Sequence, residues 1–343
     1  MSRAAAPIFP LRDAWLPALP VLPLVLFAAV LSLLLDPARQ LDFLAVDPGH
    51  FVARPQREYI HLGDVLTYVS LAAFHTLLCV AVIATIVVWA RRLPARRFQG
   101  AGIFFAGVVV LIVAVGMFFA EASNRQVLVQ LGYKATCQLV EAADLATGLA
   151  SGCWTDRISN FTWLAWIPTF SGMAAVAFTA AFAYAATSDP PSAPNARDRN
   201  SAAWRGSLEN RIRTLQRSVY LLSAVLVSST VTITVFAHLP VGLLGSKDGD
   251  IALAVSKYAT GLSTFWGALF SVTLIATFAA PVLRVLKEAY ADDGAARESA
   301  EFRQWLHDHV FQSVKRQLGT VLSILAPLLV GPLSKLLSSF SGF

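Results

Sequence analysis

The chain has 343 residues, of which 56% are hydrophobic and 14% are charged, and its mean hydropathy is +0.60. Soluble domains carry charge on roughly a quarter of their residues, so this composition argues against an ordinary soluble protein. The solvent of much of this chain is expected to be hydrocarbon.

Six charge-free apolar runs are each long enough to cross a bilayer as a helix, which takes about 20 residues. Because backbone groups in hydrocarbon must be satisfied within one segment, we predict helices rather than strands. The predicted spans are Ala14–Leu35, Val65–Ala90, Phe98–Ala120, Ile158–Ser188, Ser218–Ser246 and Tyr258–Leu283. The predicted fold is therefore an all-α, polytopic membrane protein with six transmembrane helices.

The basic residues are distributed unevenly across this topology. Segments on alternate sides of the predicted membrane hold 19 and 8 Lys and Arg, whereas Asp and Glu divide 10 to 11. An asymmetry confined to basic residues is the positive-inside pattern. It predicts a bacterial inner-membrane protein with both termini in the cytoplasm. It also accounts for the net charge of +6 without a nucleic-acid partner.

The spans and the segments between them divide the chain into five predicted regions. They are a cytoplasmic tail (1–13), a four-span bundle (14–188) with periplasmic loops 36–64 and 121–157, a flexible cytoplasmic linker (189–206), a two-span hairpin (207–291) and a C-terminal amphipathic helix (292–343). The linker is rich in Pro, Ser, Asn and Asp, a composition typical of flexible connections.

The three cysteines fall into two environments. Cys137 and Cys153 share the second periplasmic loop, on the oxidising side of the membrane, and we predict a disulfide between them. Two unpaired thiols in a small outer subdomain are the alternative. Cys79 lies within the second predicted span, where a small packing residue is the simplest interpretation.

His75 is the one ionisable residue predicted to lie deep within a span. Such residues are costly in hydrocarbon and are often functional. A proton relay or a ligand site would need Asp or Glu partners at the same depth, and the sequence offers none. An interhelical hydrogen bond is the other interpretation of His75.

Small and hydroxylated residues recur at helical spacing in the last two spans. Stripes of this kind permit close helix contact and also suit the lining of a wet path. The fifth span carries Ser223, Thr230, Thr234 and His238, and the sixth carries Thr260, Thr264, Gly267 and Ser271.

A long helix is predicted in the C-terminal region, with apolar positions every three or four residues from Phe302 to Phe340. It carries a third small-polar stripe, made of Thr320, Ser323, Pro327, Gly331, Ser334 and Ser338. Three placements stay open: a cytoplasmic helix packed on its own bundle or on a second copy, a surface or re-entrant helix, and a seventh span.

The sequence contains no motif for catalysis. A Gly-rich phosphate loop, a CxxC pair, a His-Glu-x-x-His pattern and a G-x-S-x-G elbow are all absent. We therefore expect no enzymatic activity, no cofactor and no metal ion.

Two functional hypotheses remain. In the first, copies of the chain associate in the lipid bilayer as a homo-oligomer and form a channel or membrane-perturbing pore for ions or small solutes, with a cytoplasmic trigger as one variant. In the second, the chain is a membrane scaffold or signalling subunit whose C-terminal helix docks a soluble cytoplasmic protein. Trp204 and Trp305, which we expect to be exposed, are candidate contacts for that partner, and a position at the membrane interface is the alternative for both.

Overall fold

The computed structural model describes residues 15–23, 25–26, 54–93, 95–121, 156–187, 202–239, 249–289 and 319–330. Several predictions lie outside these residues: the Cys137–Cys153 disulfide, most of the first span, most of the linker, and Gly331, Ser334 and Ser338 of the C-terminal stripe.

Every regular element within the described ranges is a helix. A short 3-10 turn spans Leu16–Ala18. Six α-helices follow: α1 (Arg54–Ala90), α2 (Ala95–Glu121), α3 (Asp156–Thr187), α4 (Ala202–His238), α5 (Gly249–Ala289) and α6 (Gly319–Val330). The helical class predicted from the sequence is confirmed for this part of the chain.

Four of the six predicted spans are long apolar helices in the structure. Their mean hydropathies run from 1.4 to 2.5 and their lengths from 21 to 35 residues, enough to cross a bilayer. They are Leu66–Ala90, Ile167–Thr187, Trp204–His238 and Ala259–Leu286. The described apolar part of α2 is shorter, Gln99–Ile112, so the count of six and the orientation stay predictions.

The surface of the helical bundle is apolar and part of its interior is polar. Leu77 on α1, Val110 on α2 and Leu283 on α5 are each more than 60% exposed. By contrast, the His75 imidazole and many hydroxylated side chains, such as Thr179, are buried. A soluble protein would show the reverse arrangement, because exposed apolar side chains are unfavourable in water. The pattern fits helices that are surrounded by lipid.

Helix α3 is the central element, in contact with α1, α2, α4 and α5. Its second half is buried on all sides from Thr179 to Thr187, and most of those residues are alanines. Small side chains let neighbouring backbones approach closely, which drives helix association where lipid replaces water. Pro168 lies within α3 upstream of this segment, and its carbonyl accepts a 2.8 Å hydrogen bond from Ser171 Oγ.

The C-terminal end of α3 is held by aromatic contacts with neighbouring helices. The Tyr184 ring stacks on Phe104 of α2, with ring centroids 4.7 Å apart. The guanidinium of Arg284 on α5 lies over the same Tyr184 ring at 4.6 Å. A guanidinium over an aromatic face is attracted by the ring quadrupole, so Tyr184 ties α2, α3 and α5 together.

The crowded alanine segment generates a stability prediction. Ala185 is fully buried, so Ala185→Leu should destabilise the protein by about 1–3 kcal/mol, the usual cost of overpacking. Ala84 on α1 is exposed, and Ala84→Leu is the matched control that should change stability little. Thermal unfolding in detergent measures both. Equal effects of the two substitutions would contradict the placement of α3 at the centre.

Candidate functional site

His75 joins two helices near the middle of the structure. The ring is 1% exposed, and its Nδ1 lies 2.7 Å from Ser228 Oγ on α4. Ser228 Oγ donates its only proton to the carbonyl of Val225 at 2.8 Å, so it accepts from Nδ1–H of His75. The contact is therefore an interhelical hydrogen bond between α1 and α4.

The opposite edge of the His75 ring, which carries Nε2, is closely packed. Nε2 lies 3.5 Å from Cys79 Sγ, one turn along α1. A Cβ atom added to Gly172 of α3 would lie only 3.3 Å from the same nitrogen. Gly172 therefore leaves the room that the ring occupies between α1 and α3. Within the described residues, no group of three His, Cys, Asp or Glu is placed to hold a metal ion.

His75 borders a largely apolar cavity of about 200 Å³ between α1, α3, α4 and α5. Tyr68, Thr232 and Trp266 are among the other side chains in its wall. An engineered apolar cavity of about 150 Å³ stays free of water and binds benzene. This cavity is thus large enough for a small apolar group, with a few polar atoms at its edge.

The predicted stripe on α4 is mostly enclosed by its own chain. Ser223, Thr230 and Thr234 are all at most 6% exposed. Thr230 Oγ1 donates to the Leu226 carbonyl at 2.8 Å, Thr234 Oγ1 to the Thr230 carbonyl at 2.7 Å, and His238 Nδ1 donates to the Thr234 carbonyl at 2.7 Å. The side chains of Thr230, Thr234 and His238 therefore form these hydrogen bonds within α4.

The predicted stripe on α5 is divided between two environments. Thr260 and Thr264 are partly exposed, and each donates to a carbonyl one turn earlier, at 2.9 Å in both cases. Gly267 and Ser271 are buried. Ser271 Oγ has no hydrogen-bond partner among the described residues, which is costly for a buried hydroxyl.

The described part of the C-terminal stripe lies directly against these two stripes. Tyr220 Oη is 3.3 Å from Thr320 Oγ1, and Ser223 Oγ donates to the carbonyl of Ser323. On α5, a Cβ atom at Gly267 would lie 2.2 Å from the carbonyl oxygen of Pro327. Only glycine at position 267 permits this approach of α6.

The contacts place α6 alongside candidate spans rather than beyond their ends. Gly267 lies eight residues into the span Ala259–Leu286, which corresponds to about 12 Å along the helix axis. Thr320 and Ser323 of α6 meet α4 at residues 220 and 223, so the two helices run in the same direction.

The outward face of α6 is apolar. Val321, Leu322, Leu325 and Leu329 are all between 39% and 51% exposed, whereas Pro327 on the inward face is buried. A helix on a soluble bundle would turn its apolar residues inward. The reversed orientation of α6 matches that of the spanning helices.

The exposure predicted for Trp204 is wrong. Only 7% of Trp204 is accessible, and it belongs to the same core cluster as Leu208 and Val285. The helix α4 begins at Ala202, so the neighbourhood of Trp204 is helical and packed on the bundle. Trp305 lies outside the described residues.

Comparison with known proteins gives no relative on which to base a function: no family model, no curated protein and no solved structure matches the chain. The site must therefore be interpreted from its own contacts.

The His75–Ser228 bond generates the second prediction. Ser228→Ala leaves Nδ1–H of His75 without its acceptor, and interhelical hydrogen bonds in membranes contribute about 0.6 kcal/mol on average and up to about 1.7. We expect destabilisation within that range, measured by denaturant titration in detergent. Ser70→Ala is the control, since exposed Ser70 bonds only to the Leu66 carbonyl of its own helix. Indistinguishable stabilities of the two variants would contradict an energetic role for this bond.

Proposed function

We propose that the protein is a homo-oligomeric channel or pore-forming protein of a bacterial inner membrane, and that the described arrangement is its closed state. In this proposal the chain crosses the bilayer six times, both termini are cytoplasmic, and α6 is a re-entrant segment that covers the polar stripes of α4 and α5. The single observation that carries the proposal is the contact of the C-terminal stripe on α6 with the stripes on α4 and α5.

The physical reason is the free-energy cost of exposing polar groups to hydrocarbon. Ser223 and Gly267 present a hydroxyl and bare backbone on the sides of α4 and α5 that face α6, and α6 covers both. If α6 moves away, this polar strip must be covered again, because an unsatisfied polar group in lipid costs several kcal/mol. Water in a conducting path would satisfy these polar groups, and so would the same polar strip on a second copy of the chain.

We expect the contact of α6 with α4 and α5 to be easier to disrupt than the contacts in the core of the bundle. The outer face of α6 is exposed, and on its inner face only Pro327 is buried, while Ile324 is partly buried against the core. Segments with few buried apolar contacts open at a low free-energy cost. This makes α6 a suitable moving element for a cytoplasmic trigger.

A scaffold that docks a soluble protein through its C-terminal helix is the second candidate. The four exposed apolar side chains of α6 would then contact a partner instead of lipid. The loss of Trp204 as an exposed contact weakens this candidate, because that residue belongs to the core.

A cross-link between α4 and α6 tests the closed state directly. The variant carries Ser223→Cys and Ser323→Cys in a Cys79→Ala background. The two introduced thiols are joined by oxidation or by a short thiol-reactive linker, since Ser223 contacts the Ser323 backbone. We expect the cross-linked protein to carry less current in planar bilayers than the same protein after reduction. The Cys79→Ala parent, with and without reductant, controls for reduction of Cys137 and Cys153.

A substitution at Gly267 should have the opposite effect. Gly267→Leu cannot coexist with the present position of Pro327, and overpacking of about 1–3 kcal/mol shifts a two-state equilibrium about 5- to 150-fold. We expect increased conductance of reconstituted protein. Gly261→Leu is the matched control on α5, because an added Cβ there meets nothing within 4 Å. Zero conductance in the parent, the reduced double-cysteine variant and Gly267→Leu alike would overturn the channel proposal.

The proposed topology has its own test. Reporter fusions active only in the cytoplasm or only in the periplasm, placed at residues 95, 140, 195, 247 and 343, should report inside, outside, inside, outside and inside. A periplasmic result at residue 343 would identify the C-terminal helix as a seventh span and contradict the re-entrant placement.

A further inference from the structure

A second cavity, of about 240 Å³, lies at the end of the bundle where α1 finishes and α4 begins. Its wall includes the rings of Trp89 and Phe182, which are in contact with centroids 5.9 Å apart. Unlike the cavity beside His75, it is lined mainly by polar atoms, and three of the residues around it are arginines: Arg92, Arg211 and Arg217.

The arginines are held in place by two separate elements. A tight turn follows α1, in which Arg92 N–H donates to the Trp89 carbonyl at 3.1 Å and Leu93 N–H to the Ala90 carbonyl at 2.9 Å. This turn brings Arg92 to the cavity. Arg211 and Arg217 lie on α4, and Arg211 is only 6% exposed, a rare degree of burial for a guanidinium.

The described residues that line the cavity include three basic residues and no acidic residue. The acidic residue of this part of α4, Glu209, pairs with Arg213, which does not line the cavity. Like charges gathered in a partly enclosed space repel one another, and an anion between them removes that repulsion.

We propose that this cavity binds a phosphate group. Guanidinium groups donate pairs of parallel hydrogen bonds that match the geometry of phosphate oxygens. The side-chain amide of Asn210, also in the wall, supplies further donors. Thr214 contributes less, because its Oγ1 already donates to the Asn210 carbonyl at 2.7 Å.

The size and position of the cavity narrow the class of ligand. Sites that enclose a drug-sized molecule usually measure about 300–1,000 Å³, so 240 Å³ suits a single phosphate with a small substituent. The positive-inside pattern places this end of the bundle at the cytoplasmic boundary of the bilayer. Basic pockets between spanning helices at that boundary are suited to phospholipid headgroups. A small soluble phosphate would present the same chemistry from the cytoplasm.

The phosphate site does not depend on the channel proposal, because binding is measurable whether or not the protein conducts.

The experiment uses the full chain, purified and delipidated in maltoside detergent, which contains no phosphate. Thermal stability is measured while phosphatidylglycerol, diacylglycerol with the same acyl chains, or inorganic phosphate is added. We expect phosphatidylglycerol, inorganic phosphate or both to stabilise the protein, and diacylglycerol to have no effect.

The variants locate the site. Arg92→Gln with Arg217→Gln removes two lining charges that are exposed enough for the fold to tolerate their loss. We expect phosphate-ligand binding to weaken about tenfold for each arginine removed, the usual contribution of a hydrogen bond to a charged group. Arg91→Gln with Arg213→Gln removes the same charge from residues outside the cavity and should leave the affinity nearly unchanged.

The outcomes separate the possible sources of phosphate. Stabilisation by phosphatidylglycerol alone assigns the site to a lipid headgroup, and stabilisation by inorganic phosphate assigns it to a soluble ligand. The proposal is overturned if neither phosphate compound stabilises the protein. It is equally overturned if diacylglycerol acts as well as phosphatidylglycerol, or if the control pair weakens binding as much as the cavity pair.

Discussion

The structure depends above all on keeping polar groups away from hydrocarbon. Hydroxyl side chains of the apolar helices donate to the carbonyl one turn earlier, as Thr230, Thr234, Thr273 and Thr277 all do. Some polar side chains bond instead to another helix. His75 and Ser228 are the clearest instance, and the bond between them sets how α1 and α4 face each other.

Small residues determine how closely the helices can approach. The alanines of α3 let four other helices gather around one axis. Gly172 makes room for the His75 ring, and Gly267 makes room for the backbone of α6. In each case the side chain that is absent matters most, because packing rather than exclusion from water holds helices together in lipid.

The same constraints explain why the two candidate activities occupy different places. Within the bundle, the hydroxyl and imidazole groups are buried between helices, so the proposed path for solutes requires an element such as α6 to move. At the end of the bundle where α1 finishes, Arg92, Arg211 and Arg217 lie around a cavity, and such a group of charges would be prohibitive at the centre of a bilayer. A phosphate bound there would also hold the end of α1 against α4, the helix that α6 contacts.

Local composition was sufficient to predict much of the fold. Charge-free runs located the four long apolar helices, because length and hydropathy are properties of contiguous residues. Helical spacing also identified the stripes that contain Ser223, Gly267 and Ser323. It did not reveal that these stripes meet, since residues about a hundred positions apart are brought together only by packing.

The sequence by itself therefore determined the helical class, the apolar segments and the residues available for close contact. Only the tertiary structure decided that Trp204 is buried, that His75 bonds to Ser228, and that three arginines from two elements surround one cavity. The physical reason is the same in each case. Periodicity identifies the face of a helix on which a residue lies, whereas the neighbour of that face depends on how all the helices pack together.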